Sequence, residues 1–264
     1  MIEGYYGFKK LPFPKDIKTD LLLESLDMKE AGARLAYLKQ YRGIFCLTGE
    51  PGSGKTSMLR KFVDSLPPQN YLHCYTPHVT VSRSEIYRQL NQMLRLTPKI
   101  RKSDLFEQIQ RSILELYQNQ GKVTCIILDE CQLMDHATLQ ELVLLTNFEM
   151  DSSLPFLLLL IGQPEFKETL NRAIHEPLKQ RISVRYHMSG LSVEETKDYI
   201  TLHLKIAGRP DPLFEQSAIV VIHQLAHGLP RKIGKLCLAA MNLGMTRGER
   251  MIDGDLILQV ATEV

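Results

Sequence analysis

The chain has 264 residues, of which 44% are hydrophobic and 23% charged, with a formal net charge of +2. This is an ordinary soluble composition, long enough for a large core and one or two domains, and its charge is too small to imply nucleic acid by itself. The longest unbroken apolar run, residues 155–162, is far too short to span a bilayer, and the N-terminus lacks a charged-then-apolar signal pattern, so neither a membrane segment nor secretion is expected.

The first 28 residues hold no long periodic segment. GYYGFKKLPFPKD packs prolines and aromatic rings into a short space and predicts an extended arm whose rings dock elsewhere. From Lys29 to Tyr41 the spacing of Ala31, Leu35, Ala36 and Leu38 predicts a helix. IFCLT (44–48) is a short apolar run expected as a buried strand. KTSMLRKFVDSL after it has helical spacing at Met58, Leu59, Phe62, Val63 and Leu66. LPPQN is a break, and YLHCY (71–75) reads as the next strand. Helices are expected over 83–96 and 103–119, the second with Ser103 as N-cap and Gly121 just past its end.

VTCIILDE (123–130) reads as an apolar strand ending in two acids, with a helix following over 136–148. PFLLLLIGQ (155–163) and the more mixed VRYHM (184–188) are further strands. Apolar strands alternating with helices argue for a parallel sheet covered on both faces. After Gly190 the strand signals stop. Ser192 with Glu195 three residues later is a capping box opening a helix through Leu204, and helices over 215–227, 231–245 and 253 onward follow. The division expected is an arm over 1–28, an α/β domain over 29–190 and a helical domain over 191–264. The cysteines 46, 74, 125, 131 and 237 make no C-x-x-C pair and read as reduced, buried core thiols of a cytoplasmic protein.

The chemistry centres on GEPGSGKT: Gly49, Glu50, Pro51, Gly52, Ser53, Gly54, Lys55 and Thr56 match G-x-x-x-x-G-K-[ST] at every fixed position, and Ser57 follows. Gly52 and Gly54 let successive backbone N–H groups point at one anion, and the helix that follows adds its positive dipole end. Lys55 would reach the β- and γ-phosphates, and Thr56 would give its hydroxyl to Mg²⁺. A chance glycine-rich turn is the alternative, but the strand–loop–helix context required by the motif is present.

Asp129 stands at the carboxyl edge of an apolar strand, where open α/β sheets bind ligands, and would hold Mg²⁺ directly or through water. Glu130 is then free to polarise a water against the γ-phosphate. A solvated strand-end turn is the plain alternative. Gln163 ends the next strand and could bond the γ-phosphate or the attacking water, or simply close the strand before Pro164. Arg181 could reach a neighbouring subunit's γ-phosphate, a contribution of roughly 10³–10⁵ in rate, with Arg172 and Arg185 competing for that role. Arg231, at a helix start in GLPRK, could fold back on the nucleotide, or be a solvated helix residue. His223 and His227 have a zinc-like spacing on one helix face, but Gln224 stands where H-E-x-x-H has Glu, which favours a structural pair. Six basic residues between Val79 and Lys102 (83, 88, 95, 99, 101 and 102) could track a phosphate backbone or line a solvated helix face.

GEPGSGKT, IILDE, LLIGQPE, LKQR and GLPRK, in that order, resemble the AAA+ ATPases, and most closely the ExeA-like group, as do YYGFKKLPFP, NFEMDS and EPLKQRISVRYHMSGL. The resemblance covers nearly the whole chain. It implies a P-loop α/β domain with a helical lid, assembly into rings or filaments, and ATP at the subunit interface. By that likeness Lys55 and Thr56 fall in Walker A, Asp129 and Glu130 in Walker B, Gln163 at sensor 1, Arg181 at the arginine finger and Arg231 at sensor 2. Gln163 departs from the Asn or Thr usual at sensor 1. Two settings share such a module. One is the ATPase of a secretin-assembly pathway, which carries a membrane helix and a wall-binding domain absent from this sequence. The other, which fits a short chain better, is the ATPase encoded beside a transposase, similar to TnsC, TniB and MuB. The leading expectation is therefore an ATP-dependent oligomer on double-stranded DNA that directs a partner transposase. A secretion ATPase module and a nucleotide-gated binding module with little turnover are the alternatives.

Overall fold

A computed structural model describes residues 1–77, 79–80, 82–148 and 154–263. Part of the NFEMDS segment lies outside the described residues. The chain divides into two compact units: residues 31–49 and 62–187, and residues 1–30, 50–61 and 188–264.

The first of these is built on five strands, β1 (Gly43–Gly49), β2 (Tyr71–Thr76), β3 (Val123–Leu128), β4 (Phe156–Gly162) and β5 (Ile182–Met188), in the order β2-β3-β4-β1-β5. The pairs β2–β3, β3–β4 and β4–β1 are parallel. The apolar runs explain the order. GIFCLTG and FLLLLIG are buried at every position and lie inside the sheet, whereas YLHCYT and ISVRYHM mix buried and open positions and lie at its edges. The register pairs Thr76 with Leu128, Leu128 with Leu160 and Thr48 with Gly162, so β1 to β4 finish along one carboxyl edge. α2 (Leu26–Tyr41) leads into β1, and helices α4 (Arg83–Met93), α5 (Lys102–Gln120), α6 (His136–Leu145), α7 (Pro164–Asn171) and α8 (Glu176–Arg181) belong to this unit. Tyr87, Ile109, Leu142, Phe156 and Phe166 are fully buried in its core. Gly162 is required by the close approach of α7, since a Cβ there would come within 2.8 Å of Phe166 Cβ.

Two local expectations are corrected. α5 begins one residue before Ser103, with Arg101 as its N-cap, and the Ser103 hydroxyl donates to Asp104 instead of capping. His227 is not on a helix face: α10 (Gln216–Ala226) ends in a left-handed cap at His227, φ 51°, so His223 and His227 do not share a face. His223 Nδ1 lies 3.1 Å from Thr196 Oγ1, and no group of three metal-capable side chains occurs among the described residues.

The second unit has α9 (Val193–Ile206), α10, α11 (Pro230–Arg247) and α12 (Gly254–Val260) as its helical part. The expected capping box is present: the Glu195 N–H donates to Ser192 Oγ and the Ser192 N–H to Glu195 Oε2. Where an extended arm is expected, residues Ile2–Tyr6 form a short helix, α1. Ile2, Tyr6 and Phe8 join the core of the C-terminal helices, and the Tyr6 hydroxyl donates to the Met241 carbonyl at 3.1 Å. Further along, Asp27 Oδ2 accepts the N–H groups of Ser189 and Gly190 at 2.8 and 3.0 Å, tying the end of the arm to the start of the helical segment.

His203 on α9 stacks on Phe13 of the arm, ring centroids 5.0 Å apart, and lies 4.3 Å from the Tyr199 ring. Burial pushes its imidazole down to about 4 from an ordinary value of 6.5. The folded unit therefore binds this proton less readily than the unfolded chain. Its contribution to stability is present above pH 6.5 and is lost as pH falls toward 4. The separation, about two and a half pH units at ~1.36 kcal/mol each, amounts to ~3 kcal/mol. Denaturant melts at pH 7.5 and 4.5 are expected to show that loss in the wild type and a smaller one in His203→Phe.

All five cysteines are free and buried, and burial pushes the thiols of Cys46 and Cys74 up to about 12, which removes them as nucleophiles at neutral pH. Among the described residues no helix is long and apolar enough to cross a membrane.

Candidate nucleotide site

The phosphate-loop residues leave β1 after Gly49 and enter α3 (Lys55–Asp64). Gly52 and Gly54 take φ of 88° and 103°, a region glycine reaches without strain. Gly52 has a second reason to lack a side chain. A Cβ there would stand 2.7 Å from Arg231 Cβ, and the Arg231 N–H reaches the Gly52 carbonyl at 3.4 Å. Arg231, in the first turn of α11, is thus brought against the loop within its own unit. Lys55 Nζ donates to the Glu50 carbonyl at 3.0 Å. Ser53 is buried and its hydroxyl has no hydrogen-bond partner, an unsatisfied group inside a loop of backbone donors. Glu50, Pro51 and Thr56 are exposed, and Ser57 is half-buried.

The acidic group belongs to the other unit. Asp129 and Glu130 follow directly on β3, and the Asp129 N–H donates to the Thr76 carbonyl of the edge strand at 3.0 Å. Asp129 is buried. Its Oδ2 accepts from the Tyr75 hydroxyl at 3.0 Å and its Oδ1 from the Glu130 N–H at 2.9 Å, which fixes the carboxylate. Burial, with the charge of Asp129 and the bond to it, pushes the Tyr75 phenol up to about 12, so it stays a donor at neutral pH. Glu130 takes the left-handed conformation, φ 56° and ψ 38°, an uncommon one for a side chain of this size. Its Oε2 accepts from Gln163 Nε2 at 3.1 Å and from Gln132 Nε2 at 2.5 Å. Gln163 caps α7, with Pro164 in the first turn. Glu130 and Gln163 are thus brought together.

Arg181 closes α8 and donates to Thr146 Oγ1 at 3.4 Å. Of its competitors, Arg185 donates to the Lys179 carbonyl, and Arg172 is exposed at the end of α7.

A family model described as an AAA domain matches residues 38–170, half of the chain, and takes in the glycine loop, both acids and Gln163. The chain belongs to the AAA family. It is similar to General secretion pathway protein A of Aeromonas hydrophila, 30% identical over 261 residues, covering 98% of this chain and 48% of that protein. The chain thus spans about half the length of this curated relative. The relationship supports the likeness to the ExeA-like group. Solved AAA structures share the fold. The Aeropyrum pernix ORC2 protein in its ADPNP–ADP complexes matches with a TM-score of 0.66 and 15% identity over 98% of this chain and 71% of that one. The Thermotoga maritima RuvB Holliday junction branch migration motor matches with a TM-score of 0.59 and 18% identity over 92% and 72%. The five-stranded P-loop sheet with a helical C-terminal region is therefore the AAA+ architecture, and the family is one of nucleotide-binding proteins.

Two residues that bond the candidate acids escape the sequence reading. Tyr75 looks like any exposed position of an edge strand, and no spacing rule links it to Asp129. Gln132 stands two residues past Glu130 in LDECQ, and its polarity inside an otherwise apolar turn is a signal that could have marked it.

Proposed function

We propose that the chain binds ATP with Mg²⁺ and hydrolyses it. The observation that carries this reading is the phosphate loop itself: left-handed glycines at the mouth of α3, Arg231 against Gly52, and a buried Ser53 hydroxyl without a partner. These residues fit a triphosphate. Backbone N–H groups of residue 52 and residues 54–56 receive it, Lys55 leaves the Glu50 carbonyl to meet its charge, and Arg231 is in reach of the same loop. Thr56 and Asp129 would hold Mg²⁺, which supplies charge neutralisation at the phosphates when bound. Mg²⁺ ordinarily needs only one or two protein ligands beside phosphate and water, so two suffice. Tyr75 and the Glu130 N–H keep Asp129 oriented. Glu130 takes up a proton from the attacking water, Gln163 holds the Glu130 carboxylate, and Arg181 serves a neighbouring copy of the chain in a ring or filament. The protein works in the cytoplasm, where its thiols stay reduced.

For the setting, the similarity to General secretion pathway protein A favours an ATPase module of that type, working with a separate or attached partner. The second reading is an ATP-dependent oligomer on double-stranded DNA that serves a transposase, and the basic run 83–102 is what favours it. That run is partly committed elsewhere. Arg83 and Lys102 pair with the buried Glu141, and Arg88 with Glu85, so Arg95, Lys99 and Arg101 are the better phosphate contacts. Phosphate release in steady state tests the ATPase, with turnover expected on ATP and Mg²⁺ and its loss on chelation. Pull-down on duplex DNA with a non-hydrolysable ATP analogue tests the second reading. Binding that needs the analogue and weakens about tenfold or more between low and moderate salt supports it, and binding indifferent to both removes it.

A further inference from the structure

We propose that Gln132 is a positioning residue for hydrolysis, its side-chain amide fastening Glu130 and Gln163 into one unit. This rests on the reading of Glu130 as the group that activates water. The argument is geometric. Gln132 lies in the single 3-10 turn Cys131–Leu133 that follows β3. Its Oε1 accepts the Gln163 backbone N–H at 3.0 Å, and its Nε2 donates to Glu130 Oε2 at 2.5 Å. Gln163 Nε2 donates to the same Glu130 oxygen at 3.1 Å. The three bonds close a ring across the ends of β3 and β4.

The ring determines its own chemistry. A backbone N–H can only donate, so the Gln132 atom facing it must be the oxygen, and the amide orientation follows without ambiguity. The nitrogen then faces Glu130 and can only donate to it. Both amide donors fall on Oε2 and neither on Oε1, so the two glutamines restrain the carboxylate through one oxygen and leave the other for the proton of the water in the proposed reaction. Glu130 is constrained from its backbone as well, through the left-handed φ and the N–H held by Asp129 Oδ1. Gln132 is the member that joins the Glu130 side chain to the main chain of residue 163. Without it, Glu130 keeps one donor and Gln163 loses its backbone tether, so both drift.

Positional loss near a reacting centre can cost ~10²-fold in rate. Gln132→Ala is expected to lower kcat by about 10- to 100-fold while the Kd for a fluorescent ATP analogue changes by less than about threefold. Gln132→Glu is close in size and preserves acceptance from the residue 163 N–H, but it places a carboxylate where Glu130 needs a donor. It should keep the melting temperature of the wild type and lose at least as much kcat as the alanine variant. Because the ring acts as a unit, Gln132→Ala with Gln163→Ala should be little worse than the poorer single variant. Wild-type kcat in both Gln132 variants, alongside a silent Glu130→Gln, overturns the inference and leaves the role of Glu130 standing. Losses that multiply in the double variant overturn the ring. Turnover by Glu130→Gln equal to the wild type overturns the hydrolytic reading and this inference with it.

Discussion

Lys55→Ala protein is expected to lose nearly all retention of ATP and all measurable turnover, while melting like the wild type. The side chain makes one bond to the Glu50 carbonyl of its own loop, in addition to its other interactions, and it is half-buried at the first residue of α3. The loop gathers backbone donors and no other cation on its own residues 49–57. Two charge-assisted contacts to phosphate, at about 1.5–3 kcal/mol each, correspond to roughly a hundred- to ten-thousand-fold in affinity. Binding of a fluorescent ATP analogue by titration, beside a thermal melt, checks both halves. Unchanged affinity would show that the triphosphate is held elsewhere. A collapsed melt would show that Lys55 is structural.

Much of this site is legible in the sequence because its parts are contiguous. GEPGSGKT carries its geometry in the glycines and its chemistry in the lysine and threonine, and IILDE announces both the strand and the acids at its end. The buried strands are legible for a similar reason. FLLLLI has no polar position to spend on solvent, so it must lie inside a sheet. The capping box at Ser192 and Glu195 is a four-residue pattern with a single geometric solution. What escapes is pairing between elements distant in sequence. Tyr75 meets Asp129 only because β2 lies beside β3, and Gln132 meets Gln163 only because β4 lies beside β3. Periodicity has no term for either contact. The arm is illegible in another way. Its short run cannot form a stable helix in isolation, and α1 exists because Tyr6 and Ile2 are buried on the C-terminal helices. His227 fails the helical spacing because chain geometry stops α10 at Ala226, a choice made by the left-handed cap and Gly228 rather than by hydrophobic pattern.

Glu130→Gln and Arg181→Ala are each expected to abolish hydrolysis while leaving ATP affinity within a few-fold, and a mixture of the two is expected to hydrolyse. The single effects have different sizes and causes. Replacing the carboxylate removes the proton acceptor, worth roughly 10²–10⁴ in rate. Removing the guanidinium takes away charge stabilisation at the transferred phosphoryl group, worth roughly 10³–10⁵. Neither residue anchors the core: Glu130 is half-buried and Arg181 half-buried at a helix end. The mixture separates a residue acting within its own subunit from one acting on a neighbour. An Arg181→Ala subunit retains Glu130, and a Glu130→Gln subunit retains Arg181. In a head-to-tail assembly about a quarter of randomly formed interfaces in an equal mixture place the intact acid beside the intact arginine. Those interfaces should turn over at the wild-type rate, and the yield should vary with mixing ratio and peak near equality. Silence at every ratio would place Arg181 in the subunit whose ATP it serves, or outside the reaction. Recovery by a mixture containing Arg172→Ala in place of Arg181→Ala, with Arg181→Ala itself active, would move the role to Arg172, which is exposed at the end of α7.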